Sequence, residues 1–395
     1  MRTFSAHYIF PANTPPLKNG IIKTTDDGTI VNIIDTHGKI TETAQTEFFN
    51  GIIVPGFINT HCHLELSHLK GKISPHSGLP HFIKKLKDIR TAESSDMISA
   101  KIAFFDKLMW QNGIVAVGDV SNNSISFPIK KESKIHYHSF IEFFGLSPQN
   151  AHTIYNTANK KLKTLKLFNL TGNIVPHAPY SISPELFELF RQDTHLPNEI
   201  ISIHFQETDS ENSYFKHQTG SLFNLFQEWK LPYPFSPKYK TSIDYILQYL
   251  QATGRTTIFV HNTFADKEDI KKIKENTENP FLCLCPNSNL YIENKLPDIS
   301  LLKNSGLPIT IGTDSLASNK SLSILEEMKT LHINFPELNL EEIIRWATFN
   351  GAKSLKIEHQ FGSLTKTLKP GINLIENLDM ENLKLLPETT IRKLI

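Results

Sequence analysis

Eight short apolar runs, each ending in polar residues, constrain this chain more than any other feature. They are Ile52 to His63, Gly113 to Val120, His136 to Gly145, Asn173 to Ser181, Ile201 to Glu207, Thr257 to Thr263, Phe281 to Asn289 and Leu307 to Ser315. Nearly all are dense in Ile, Val, Phe or Leu, as strands buried on both faces should be. Between them lie segments with apolar residues three or four apart, such as Phe82 to Arg90 and Ile243 to Leu250. Strand and helix signals in alternation predict an α/β fold, a (β/α)8 TIM barrel. The rival, an open doubly wound sheet, lacks support because no Gly-rich phosphate turn follows an early strand.

The two ends read differently. Ile21 to Thr25 and Thr29 to Ile34 flank Asp26-Asp27-Gly28, a hairpin signal. Gly362-Ser363-Leu364 and Gly371 to Ile375 look like short strands. The expectation is a small satellite β-sandwich built from both termini, residues 1–53 and 360–395, beside a barrel over 54–359. An aromatic-rich stretch, 208–239, reads as a lid, an oligomer contact or an insertion packed on the barrel. A formal charge of +1 gives no reason to expect nucleic acid or an anionic membrane as partner. The chain has no apolar stretch of the roughly 20 residues that a spanning helix needs. Its start, Met1 to Tyr8, reads into a strand and not into a signal peptide. Three cysteines, Cys62, Cys283 and Cys285, imply no disulfide framework, and a reducing cytoplasm is the simplest location.

Chemistry concentrates at the run ends. His61 and His63 sit at i and i+2 on a strand, so both imidazoles point to one face. His204, His261 and Asp314 end three later runs. In a barrel of this kind the working residues lie at the C-terminal ends of the strands. Three imidazoles and a carboxylate suit one divalent cation, with zinc the default and iron (Fe2+) the alternative. Such a metal lowers the pKa of a water ligand from about 15.7 toward 7. A lone His-x-His is more often a satisfied core pair, and Asp314 alone could cap a helix. Their joint placement on separate predicted strands favours the metal site. Neither His-Glu-x-x-His nor Cys-x-x-Cys occurs, which sets aside two other zinc arrangements.

Pro55 to His63, His204-Phe205-Gln206-Glu207, His261, Gly312-Thr313-Asp314-Ser315 and Trp346 to Ala352 together resemble the amidohydrolase superfamily. Within it the chain looks most like the mononuclear deaminases and chlorohydrolases of aromatic heterocycles. That resemblance implies that His61, His63, His204 and Asp314 ligate the metal. Asp314 would also take a proton from water, His261 would stabilise charge at the attacked carbon, and Glu207 would protonate the ring nitrogen. A positioned carboxylic acid can supply about 10²–10⁴-fold in such a step. Glu142 ends the third run and reads as a structural or substrate-facing carboxylate. Four loop segments, His63 to Gly71, His177 to Ser183, Cys285 to Asn289 and Asp314 to Asn319, resemble the adenosine-type deaminases, most closely the aminodeoxyfutalosine deaminases of menaquinone biosynthesis. Glu65, His177, Ser288, Asn289 and Ser318 are the candidate contacts to a nucleoside-like substrate, with loop capping as the plainer role for each. Deaminases of adenosine, methylthioadenosine, S-adenosylhomocysteine or guanine-like rings, and chlorohydrolases or cyclic-amide hydrolases, are the alternatives. A homodimer is what the resemblance suggests.

Overall fold

A computed structural model describes residues 1–40, 45–192, 199–250 and 254–395. The chain opens with β1 (Arg2–Ile9), β2 (Leu17–Lys18), β3 (Ile21–Thr24), β4 (Ile30–Ile34) and β5 (Thr46–Pro55). Strands β3 and β4 pair antiparallel around the Asp26-Asp27-Gly28 turn, as the sequence predicts. Eight further strands follow: β6 (Phe57–Cys62), β7 (Ile114–Ser121), β8 (His136–Phe143), β9 (Thr171–Pro176), β10 (Ile200–Phe205), β11 (Thr256–His261), β12 (Asn279–Leu284) and β13 (Ile309–Ile311). The chain closes with β14 (Ile372–Glu376) and β15 (Thr390–Lys393).

The eight middle strands form two parallel sheets of four, ordered β6-β7-β8-β9 and β10-β11-β12-β13. Every residue of β6, β7, β10 and β11 is buried, which explains their unbroken apolar runs. Helices separate the strands, among them Leu79–Ile89, Ala151–Leu167 and Ser242–Leu250. Backbone contacts link the two sheets at both margins. Thr313 N and Asp314 N donate to His61 O at 3.0 and 3.1 Å, and Cys62 faces Asp314 across a parallel bridge. On the other side His204 N donates to His177 O at 2.9 Å. One apolar cluster joins Ile58, Phe140 and Val175 of the first sheet to Ile258, Val260 and Cys283 of the second.

Strands from both ends of the chain make one seven-stranded sheet, ordered β15-β14-β5-β1-β3-β4 with β2 on β1. Three sequence expectations change here. The run Ile52 to His63 is two strands: it breaks at Gly56, so that Ile52 to Pro55 belongs to the terminal sheet and only Phe57 onward to the middle one. A Cβ on Gly56 would stand 2.3 Å from Val115 Cγ1 and 2.6 Å from Pro370 O, so the turn between the sheets needs a residue without one. The run Phe281 to Asn289 stops at Leu284, because Pro286 starts the helix Pro286–Glu293. Gly362-Ser363-Leu364 is not a strand, although Leu364 N donates to Pro11 O at 3.0 Å. Finally, the aromatic-rich stretch holds helices Asp209–His217 and Ser221–Glu228, whose rings pack on one another and on Tyr180 and Tyr245.

Candidate active site

The residues singled out from sequence meet where the parallel strands end. His61 is on β6 with His63 just beyond it, and the Nε2 atoms of the two rings are 3.1 Å apart. His204 on β10 brings its Nε2 to 3.3 Å from that of His63. Asp314 Oδ1 lies 3.5 Å from His63 Nε2 and 3.8 Å from His61 Nε2. His261 ends β11, and its Nε2 is 3.6 Å from Glu207 Oε1. Glu207, His261 and Asp314 each place a ligand-type atom within 4.8 Å of the others. Gln206, His261, Asn262 and Asp314 all have positive φ, from 51 to 78°. Non-glycine residues held there carry backbone strain, which collects at functional sites.

Burial is the leading cause of the electrostatics. Together with neighbouring imidazoles it pushes His61 and His204 well below the usual histidine range, so both rings are neutral. Burial likewise lowers His261. For Asp314 burial alone would act upward, but His63, His261, His61 and the Ser288 hydroxyl outweigh it and hold the group at about 2. Glu207 moves the other way. Burial, with Asp314, Glu293 and Glu211 nearby, raises it well above the ordinary carboxyl value.

The donor set fits a cation. His204 Nδ1 donates to His177 O at 2.9 Å, which leaves Nε2 as a bare lone pair. Nε2 of His61 and of His204 lie 3.1 and 3.3 Å from that of His63, a spacing at which one cation could take all three lone pairs. Asp314 Oδ2 accepts from Ser288 Oγ at 2.6 Å and Ser318 Oγ at 2.7 Å, so Oδ1 is left to face the imidazoles. His61, His63 and His204 form one of three clusters among the described residues with the spacing of metal ligands.

The structure puts the candidate substrate contacts in several settings. Ser288 and Ser318 support Asp314 as just described. Asn289 Oδ1 accepts from His261 Nδ1 at 2.8 Å, which turns Nε2 toward Glu207. His177 Nδ1 is 2.8 Å from Ser181 Oγ, and its ring lies beside that of His204 with centroids 4.8 Å apart. Glu65 accepts from Arg90 Nη2 at 3.1 Å and from the backbone N–H groups of Asn122 and Asn123 at 3.0 and 3.1 Å. Reading along the chain missed Asp119, whose Oδ1 accepts from Leu64 N at 2.8 Å directly after His63. It also missed Asn59, which holds Thr313 by two hydrogen bonds next to Asp314. Both residues sit inside apolar strand runs, and no spacing marks them.

The amidohydrolase family pattern matches residues 52–390. The adenosine deaminase of Helicobacter pylori is 31% identical over 322 residues, 80% of this chain and 77% of that protein. The aminodeoxyfutalosine deaminase of a Nitratiruptor species is 24% identical over 320 residues, 78% of this chain and 75% of that one. Among solved structures, Helicobacter pylori aminofutalosine deaminase in complex with methylthio-coformycin superposes with a TM-score of 0.79 and 25% identity, covering 96% of this chain and 93% of that one. With the match running from β5 to the last strand, the chain belongs to the amidohydrolase family and is a hydrolase acting on carbon–nitrogen bonds.

Proposed function

We propose that the protein is a metal-dependent aminohydrolase that replaces the 6-amino group of an adenine nucleoside by oxygen, releasing ammonia. The observation that carries this reading is the pairing of Glu207 and Asp314, two buried carboxyl groups driven in opposite directions. One carboxyl group that keeps its proton to higher pH beside one that stays ionised to lower pH is what acid and base work on one substrate requires. In this reading His61, His63, His204 and Asp314 hold one divalent metal, with zinc the first choice and iron the second. When bound, that metal supplies Lewis acidity that brings a water's pKa toward about 7.

The chain's own residues do the rest. Asp314 takes a proton from the attacking water. Glu207 gives its proton to the adjacent ring nitrogen, making the carbon that bears the amine electrophilic. His261, fixed through Nδ1 by Asn289, directs Nε2 at the charge that builds there. A proton passed to the amine lets it leave as ammonia, and the ring keeps the water's oxygen. Glu65, His177, Ser288, Asn289 and Ser318 complete the surroundings of a nucleoside, His177 by its free ring nitrogen and the two serines and Asn289 through Asp314 and His261.

Within that class our first choice of substrate is aminodeoxyfutalosine in menaquinone biosynthesis, with adenosine, 5′-deoxyadenosine, methylthioadenosine and S-adenosylhomocysteine as alternatives, and relatives named for each of these support the class as a whole. We read the two parallel sheets as halves of one closed (β/α)8 barrel, expected over 54–359 and entered at Gly56. The hydrogen bonds from Thr313 and Asp314 to His61, and from His204 to His177, support this. The terminal sheet is read as the satellite domain expected over 1–53 and 360–395, with Val54 and Pro55 of β5 added to it. A homodimer and a cytoplasmic location complete the reading, and three free, buried cysteines suit the latter. Among the described residues no helix is long and apolar enough to cross a membrane. The test is a substrate panel on zinc-loaded protein read by ammonia release. Turnover of at least one adenine nucleoside is expected, and release of chloride or a ring-opened carboxylate instead would replace deamination by another hydrolysis.

A further inference from the structure

One carboxylate at the site is used by neither the metal set nor the proton-transfer pair. Glu142 lies near the end of β8 and is 5% exposed. It offers an oxygen within 4.8 Å of ring nitrogens of His177 and His204. Its Oε2 accepts from Asn122 Nδ2 at 2.9 Å. Its Oε1 has no such donor among the described residues. His204 Nδ1 stands 3.7 Å away, beyond hydrogen-bond reach, and gives its proton to His177 O. Glu65 is the contrast, since both its oxygens are taken by protein donors. Oε1 of Glu142 is therefore the oxygen that stays open to whatever occupies the site. Two residues on, Phe144 is 47% exposed, and its ring leans on His177 with centroids 5.6 Å apart. An acceptor and an apolar ring therefore stand together beside the imidazole cluster.

We propose that Glu142 Oε1 accepts hydrogen bonds from the sugar hydroxyls of the nucleoside, with Phe144 as the apolar wall next to it. This rests on the deaminase reading above. A carboxylate oxygen has two lone pairs to offer a diol and none to offer an anion. The same oxygen therefore disfavours a substrate that would place negative charge at that point.

The experiment measures kcat and KM of zinc-loaded wild type and Glu142→Gln on adenosine, 2′-deoxyadenosine and 2′,3′-dideoxyadenosine, with zinc content determined for each protein. Losing a hydrogen bond to a charged acceptor is expected to lower kcat/KM on adenosine by about 10–100-fold, mainly through KM. The loss should be at least tenfold smaller on the dideoxy compound, with zinc content unchanged. Glu142→Asp, which withdraws the oxygen but keeps the charge, should show the same dependence on the hydroxyls and covers the case in which the glutamine variant does not fold. Equal losses on all three substrates, or loss of zinc, would overturn the assignment and make Glu142 a support for His204. No turnover of any nucleoside by wild type would overturn the deaminase reading itself, and the hydroxyl assignment with it.

Discussion

Glu207 and Asp314 show how far a side chain's behaviour depends on what surrounds it. Both are carboxylic acids, both are buried, and they titrate on opposite sides of their ordinary values. Three imidazoles and a hydroxyl outweigh burial at Asp314, whereas at Glu207 burial leads and the carboxylates of Asp314, Glu293 and Glu211 add to it. The proposed acid step needs Glu207 with its proton. Because its folded value is raised, that proton is lost only as pH climbs through the raised value, so kcat should fall as pH rises through it. Glu207→Gln should lower kcat about 10²–10⁴-fold and abolish that fall while retaining metal, as ammonia release against pH and metal analysis would show. At this scale the residues that gather at the site were legible, because His61, His63, His204, His261 and Asp314 each close an apolar run. The roles of Ser288, Asn289 and Ser318 were not. Their spacing marks a polar loop, and only the partner across space says that Ser288 and Ser318 hold Asp314.

At the scale of elements, the residues that aim the ligands are themselves held from behind. Asp119 on β7 pins Leu64 N, and its other oxygen pairs with Lys130 Nζ at 2.5 Å from the helix Phe127–Glu132. Lys130 also donates to Ser121 and Ser139, and neither charged side chain is exposed. Removing one partner of a buried pair strands the other charge. Lys130→Met should therefore destabilise the fold by about 3–5 kcal/mol, as the urea unfolding midpoint would report. Strand and helix signals located most elements, since buried parallel strands write themselves as unbroken apolar runs. They failed at Gly56 and Pro286. At Gly56 one apolar run feeds two sheets, and no change in hydrophobicity marks the passage. At Pro286 the polar residues after β12 belong to a helix whose first residue is the proline.

At the scale of the molecule, the parallel strands bring together residues 253 positions apart, from His61 to Asp314, and crowd ring nitrogens of three histidines and a carboxylate oxygen into one buried cluster. A cation that binds only this arrangement stabilises the folded state, by about 2.7 kcal/mol at a hundred times its dissociation constant. Dialysis against a chelator should lower the thermal unfolding midpoint and remove activity, and added zinc should restore both. A midpoint indifferent to metal would count against the four-residue ligand set. The order of residues along the chain was enough for the α/β class, the eight middle strands, the hairpin near the start and the type of chemistry, because burial and period two leave their mark on neighbours. It was silent on which polar groups face the substrate and which hold up the ligands. That division came from contacts between strands far apart in the chain. Glu65, in the short helical turn Leu64–Leu69 after β6, filled its two oxygens, and Glu142 on β8 kept one without a protein donor among the described residues, although the two look alike in one dimension.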